Sequence, residues 1–244
     1  MNEVHEPQDI SRPHDYDHRH ADTASGWLRA TVFGAMDGLV SNIGLIAGIA
    51  AAGASNPIVA ITGISGLIAG AVSMALGEFT SVRTSNEQLD AEVRTERDAH
   101  ARNPLGEQAE LTALFSRIGM DDDIASTAAS QVHKNRERAV RVHIAHELGI
   151  NLEERPSPMV AAVSSFISFA IGAFIPLIPF VFGFGSLWIG LAFGGVGLLI
   201  AGGLAAVTTK RNWLWGAARQ LLFGGIAVAA TYTIGMLLGV SDIG

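Results

Sequence analysis

The sequence predicts an all-α, polytopic membrane protein with five transmembrane helices and a cytoplasmic three-helix domain. Two observations carry this: the composition and the segregation of charge. Of 244 residues, 49% are hydrophobic and only 16% charged, with 28 Gly and a mean hydropathy of +0.34, a membrane profile. No Asp, Glu, Lys or Arg falls between Arg155 and Lys210 or between Arg219 and Asp242, and only Asp37 and Glu78 fall between Arg29 and Arg83. Such gaps are too long for a soluble core, and about 20 apolar helical residues suffice to cross a hydrocarbon layer about 30 Å thick.

In chain order, residues 1–26 carry six acids and two arginines without an apolar stretch, so no cleavable signal peptide is expected and the first span serves as the targeting signal. His5, His14, His18 and His20 interleave there with Asp15, Asp17 and Asp22. That composition reads as a disordered tail and leaves a metal-gathering role open. Spans are expected at 27–52 and 57–82, joined by a tight turn at 53–56, and at 158–182, 186–208 and 213–240, with a second tight turn at 183–185. Pro176 and Pro179 should kink or end the third span. Pairs such as Gly34/Gly38, Gly66/Gly70, Ser73/Gly77 and Gly190/Gly194 allow close helix approach, within one chain or with a second copy.

Residues 83–155 are a different material, with 14 acids, 10 bases and four His. Three helices are expected. The first, 83–102, continues from the second span without a breaker, and the second, 104–118, has Pro at its first turn. The third, 122–148, starts in the acidic run Asp121-Asp122-Asp123 and stops at Gly149.

Orientation follows from the basic residues. All 16 Lys and Arg lie in the N-terminal tail, the segment 83–157, the loop at 210–212 or the adjoining helix ends, and the two opposite turns have none. Cytoplasmic loops are the ones enriched in Lys and Arg, so the N-terminus is expected in the cytoplasm and the C-terminus outside. The absence of cysteine excludes disulfides, thiolate metal sites and Cys nucleophiles, and a net charge of −7 argues against a nucleic-acid partner.

Of 23 acids, only Asp37 and Glu78 lie within the expected spans. An intramembrane carboxylate costs on the order of 3 kcal/mol unless paired, hydrated or metal-bound, which makes it a functional candidate. Met74 precedes Glu78 by four residues and shares its helix face; it is either a thioether ligand or packing. Asn42, Ser41 and Ser73 would complete a coordination path or simply hydrogen-bond between helices. In the polar segment, Glu92 and Glu96 stand at i,i+4, Glu107 and Glu110 at i,i+3, and His143, His146 and Glu147 on one face of the third helix. Any one of these pairs is ordinarily a solvated face. Convergence of all three helices would give carboxylate and imidazole ligands suited to Fe(II), Mn(II), Co(II) or Zn(II).

Several stretches carry a resemblance. They are Met36-Asp37-Gly38-Leu39-Val40-Ser41-Asn42-Ile43-Gly44-Leu45, the run from Gly66 through Ser73-Met74-Ala75-Leu76-Gly77-Glu78, Asn103-Pro104-Leu105-Gly106-Glu107-Gln108-Ala109-Glu110-Leu111, His146-Glu147-Leu148-Gly149, and Gly172-Ala173-Phe174-Ile175-Pro176-Leu177. Together, over about residues 27–240, the chain resembles the vacuolar iron transporter family.

The resemblance implies a homodimer of five-span subunits in a lipid bilayer. It also implies a cytoplasmic metal-binding domain and export of Fe(II) or related ions from the cytosol in exchange for protons. A bacterial plasma membrane is the expected host rather than a vacuolar one. By position, Asp37 and Met74 match the family's pathway ligands, with Glu78 beside them, and Glu96, Glu107, Glu110 and Glu147 match its cytoplasmic carboxylates. Two departures stand out. A second carboxylate three residues after Glu96 is replaced by Ala99, with His100 beside it and Glu92 one turn earlier, and a methionine pair on the third helix is replaced by His143-Ile144. The exchange of soft sulfur for imidazole leaves room for ions other than iron.

A membrane-anchored divalent-metal buffer or sensor is the competing class, and an anchor needs no acid like Asp37. A ferroxidase-type enzyme would need Glu-x-x-His pairs, and the sequence has none. No Gly-rich phosphate loop with its Lys suggests ATP drive.

Overall fold

A computed structural model describes residues 27–147, 149 and 155–239. The His- and Asp-rich tail, Leu148 at the end of the third expected polar helix and Val240 at the end of the fifth expected span lie outside the described residues. The described chain is helical: α1 (Trp27–Ala51), α2 (Asn56–Arg102), α3 (Pro104–Arg117), α4 (Asp122–His133), α5 (Arg136–Glu147), α6 (Pro158–Phe174), a 3-10 turn (Ile175–Leu177), α7 (Ile178–Val181), α8 (Leu187–Thr208) and α9 (Trp213–Leu238). Five segments are long and apolar enough to cross a membrane: α1, the N-terminal part of α2, the α6–α7 unit, α8 and α9. With the family membership established below, the chain is an integral membrane protein.

No breaker separates the second span from the polar segment, and α2 runs unbroken for 47 residues, about 70 Å. It ends where Asn103 takes over as the N-cap of α3, its side chain accepting from the Gly106 amide at 3.1 Å. Pro176 and Pro179, which cannot donate to a helical ladder, fall where α6 tightens into the 3-10 turn and restarts as α7. The two tight turns use Gly53 and Gly183 at φ +87° and +82°, a conformation that glycine adopts without strain.

One element departs from expectation. The single helix expected over 122–148 is two, α4 and α5, broken at Lys134-Asn135. Asn135 is the cause. Its side chain accepts from the Arg138 amide at 3.0 Å and its carbonyl from the Ala139 amide at 3.0 Å, so it starts a new helix instead of continuing the old one.

Inside the membrane-spanning part, α1 is the central helix and packs on α2, α6, α8 and α9. Its tightest approach is to α6. A Cβ on Gly38 would collide with the Phe169 carbonyl, and one on Gly172 with the Ala35 carbonyl. The backbones therefore touch where lipid supplies no hydrophobic drive to associate. Buried Asn42 ties the same pair, donating to the Ala173 carbonyl at 2.6 Å. In the polar segment, one apolar cluster (Leu89, Val93, Val140, Ile144) joins α2 to α5 and another (Leu111, Phe115, Ala125, Ala129) joins α3 to α4.

Gly38→Ala should therefore cost about 1–3 kcal/mol through overpacking, read as a lower melting temperature in detergent. Gly77→Ala should leave protomer stability unchanged, because an added Cβ there meets nothing within 4 Å. Equal stability of the two variants would remove the α1–α6 contact from its proposed place in the fold.

Candidate metal centres

Two groups of potential ligands come together, one within the spans and one beyond them, and both draw on α2. The first lines a cavity of about 390 Å³ between α1, α2 and α6, bordered by Asp37, Ser41, Ser73, Met74, Glu78 and Phe169. The small residues Gly66, Gly70 and Gly77 also line it. The Phe169 ring fills the space beside Gly70, where any Cβ would clash.

The two intramembrane acids differ. Glu78 is buried and its Oε2 accepts from the Arg29 guanidinium at 2.8 Å, so its charge is already matched. Asp37 is half-buried, accepts only from the Ser41 hydroxyl at 2.9 Å and has no cationic partner among the described residues. Met74 borders the cavity while also packing on Ala71, Phe169 and Ala173, so it is a packing residue in the cavity wall. Asn42 is not among the residues lining this cavity: it is buried, its Nδ2 ties α1 to α6, and its Oδ1 has no hydrogen-bond partner. It lies five residues after Asp37, about 140° around the helix.

Beyond the membrane part, α2, α3, α4 and α5 gather Glu96, His100, Glu107, His133 and His143. The Glu96 Oε1 lies 3.3 Å from both His100 Nε2 and His143 Nδ1, and His143 Nδ1 stands 3.8 Å from Glu107 and 3.7 Å from Glu147. Glu147 and Glu110 are exposed and form the rim, close enough for their charges to act on Glu96. Glu92 is not brought in. It is exposed and joins no hydrogen bond or ion pair among the described residues, because the face of α2 next to Glu96 is occupied by Leu89 and Val93 packing on α5. His146 also turns outward, its ring at the edge of Phe115.

His133 is the ligand-type residue that the sequence reading missed. In a straight helix His133 and His143 would be about 15 Å apart along the axis; the break at Asn135 brings their ring centroids to 5.5 Å. Asn135, a strong N-cap residue with Glu137 in the following turn, was the available signal.

Burial and the neighbouring charges set the electrostatics of this cluster. Burial, reinforced by the carboxylates of Glu147, Glu107 and Glu110, pushes Glu96 up to about 7. Burial and then Glu110 and Glu107 raise Glu147 as well. Burial lowers His100, helped by His143, and lowers His143, helped by His133. The imidazoles are thus held neutral, the form that ligates, and their contacts with Glu96 are not ion pairs. One sign follows. A metal entering the cluster must displace the proton that Glu96 holds below pH about 7, so Mn(II) affinity should fall about tenfold per pH unit below 7. Titration of the full-length protein at about pH 7.5 and about pH 6 reads this, and a flat affinity would remove Glu96 from the ligand set. A combined Glu107→Ala and Glu110→Ala substitution should weaken the same binding.

Comparison with known proteins identifies the family of the chain. The VIT family model matches residues 28–236. A vacuolar iron transporter of Acanthamoeba castellanii is 34% identical over 231 residues, 90% of this chain and 82% of its own length. Vacuolar iron transporter homolog 2 of Oryza sativa subsp. japonica is 35% identical over 215 residues, 85% of this chain and 88% of its own. Vacuolar iron transporter 1 of Arabidopsis thaliana is 31% identical over 162 residues, 65% and 64% of the two lengths. With five spans and acids both inside and beyond them, matched over nearly all of the described residues, the chain belongs to the VIT family of membrane metal carriers.

Proposed function

We propose that this protein is a secondary transporter that exports Fe(II) or Mn(II) from the cytosol in exchange for protons. The observation that carries the reading is Asp37: among the described residues it is the one acid in the spans without a cationic partner, and it faces a polar-edged cavity. An ion leaving water needs a counter-charge, and a carboxylate there binds either the metal or a proton. Competition for that one group couples the two fluxes without ATP. Metal binds from the cytoplasm when Asp37 is ionised, and protons from the far side displace it. Relatives named vacuolar iron transporters support iron as the substrate. The carboxylates and the Met74 thioether suit Fe(II) and Mn(II).

The working unit is a homodimer, for a reason specific to α2. Its stripe Ser65, Ala69, Ser73 and Gly77, at four-residue intervals, is exposed, and the cavity opens beside the last two. A second copy seated on this small-residue stripe would close the cavity against lipid. The α3–α5 end faces the cytoplasm, which matches the basic residues concentrated there.

Asp37→Asn keeps size and removes charge. In liposomes it should abolish metal flux and metal-dependent proton movement while leaving metal binding to the α2–α5 cluster intact. Wild-type coupled flux in that variant would favour the anchored buffer or sensor instead. Cysteines placed at Ser55 and Ser186 should label from outside and one at Ser116 only from the cytoplasm; labelling of Ser116 from outside would reverse the orientation.

A further inference from the structure

The α2–α5 cluster holds two kinds of ligand, and they do not ask for the same ion. Glu96 Oε1, His100 Nε2, His133 Nε2 and His143 Nε2 are all buried and none has a hydrogen-bond partner. His100 is 5% exposed and His143 1%. A buried polar atom without a partner is costly, so the three imidazole nitrogens, one on each of three neighbouring helices, call for a shared occupant. One ring nitrogen from each histidine lies within 4.8 Å of the others, and the ring centroids are 4.7, 5.1 and 5.5 Å apart.

The protonation pattern is that of ligands. The Ala129 carbonyl can only accept, so His133 Nδ1, at 2.9 Å from it, carries the hydrogen and Nε2 presents its lone pair. His143 Nδ1 lies among Glu96, Glu107 and Glu147 and is oriented in the same way. A carboxylate or backbone carbonyl behind one ring nitrogen is the arrangement that orients metal-bound imidazole.

We propose that His100, His133 and His143 form a three-imidazole site for a borderline divalent ion of the Zn(II) and Co(II) class, completed to four-coordination by a water; the ion stays in the protein, and the site is distinct in ion preference from the transported substrate. Three imidazoles and a water match a tetrahedral zinc site that keeps one non-protein position. Ions that keep six oxygen ligands and bound water are served instead by Glu96, Glu107, Glu110 and Glu147. The site also has a mechanical task. No apolar cluster among the described residues joins α4 to α2, and the His100–His133 ring contact is what links them. A bound ion would staple α2, α4 and α5 together.

The inference rests on reading this cluster as metal-binding, but not on transport. The experiment is a Co(II) titration of full-length protein in detergent, followed by competition with Zn(II) and, separately, Mn(II). The expected result is the intense visible absorption of four-coordinate Co(II), saturating at one ion per chain, displaced by Zn(II) and not by equimolar Mn(II). His133→Gln should lose this spectrum and weaken Zn(II) binding about 10–100-fold, while Mn(II) affinity falls far less. The weak absorption of six-coordinate Co(II) in the wild type would overturn the proposal whatever the variant does. So would a parallel loss of Mn(II) and Zn(II) affinity in His133→Gln, which would mean one shared site. Absence of flux in a wild type that still binds Co(II) tetrahedrally would sink the transport reading and leave this one standing.

Discussion

The constraint on which the rest of the molecule depends is the continuity of α2. In lipid a backbone must satisfy its own polar groups, so a helix that leaves the membrane does so most economically without interruption. This one continues to Arg102. Glu78 and Glu96 are 18 residues apart on a single rod, about 27 Å, so the cavity in the spans and the ligand cluster beyond them have a fixed separation. Only α2 contributes to both. The helices that complete the cluster hang from it: α5 through Leu89, Val93, Val140 and Ile144 and the Arg97–Glu137 ion pair at 2.8 Å, and α3 through the Asn103 cap.

Three acids on α1 and α2 illustrate three answers to the cost of burying a carboxylate. Glu78 is matched by Arg29, whose side chain is 64% exposed and so marks where the span meets its polar boundary. Glu96 takes up a proton near neutrality because burial, and then the carboxylates around it, disfavour its charge. Asp37 has one hydroxyl donor and a cavity. Unlike Glu78, Asp37 has no cation beside it among the described residues, even though the two looked alike as lone acids in apolar sequence.

The spans were legible because the signals that define them are coarse: charge-free stretches, tight turns at Gly53 and Gly183, and prolines at 176 and 179. The continuity of α2 was legible for the same reason, as the absence of any breaker. What could not be read was local geometry beyond a break. Treating 122–148 as one helix put His133 and His143 on different faces, so the imidazole cluster was invisible although all of its residues were in plain sight. Glu92 failed in the opposite way: i,i+4 spacing placed it near Glu96, but which side of that turn faces the partner helices is decided by Leu89 and Val93 packing on α5. Asn42 and Ser73 show the same limit inside the membrane, where one proved to be a tie and the other a cavity wall.

The imidazoles also bear on why the cluster departs from the carboxylate-and-sulfur pattern its relatives suggest. A site that passes an ion onward must bind it weakly enough to release it, which exposed rim carboxylates such as Glu110 and Glu147 do. Buried imidazoles with fixed tautomers do the opposite: they are preorganised and tight. Placing three of them at the junction of α2, α4 and α5 gives the domain a stable core where its apolar clusters leave a gap between α4 and α2. Selectivity in the Irving–Williams order is hard to achieve by affinity alone; on the proposals above, a tight-binding ion resident among the imidazoles would leave the exchangeable carboxylates to Mn(II) and Fe(II).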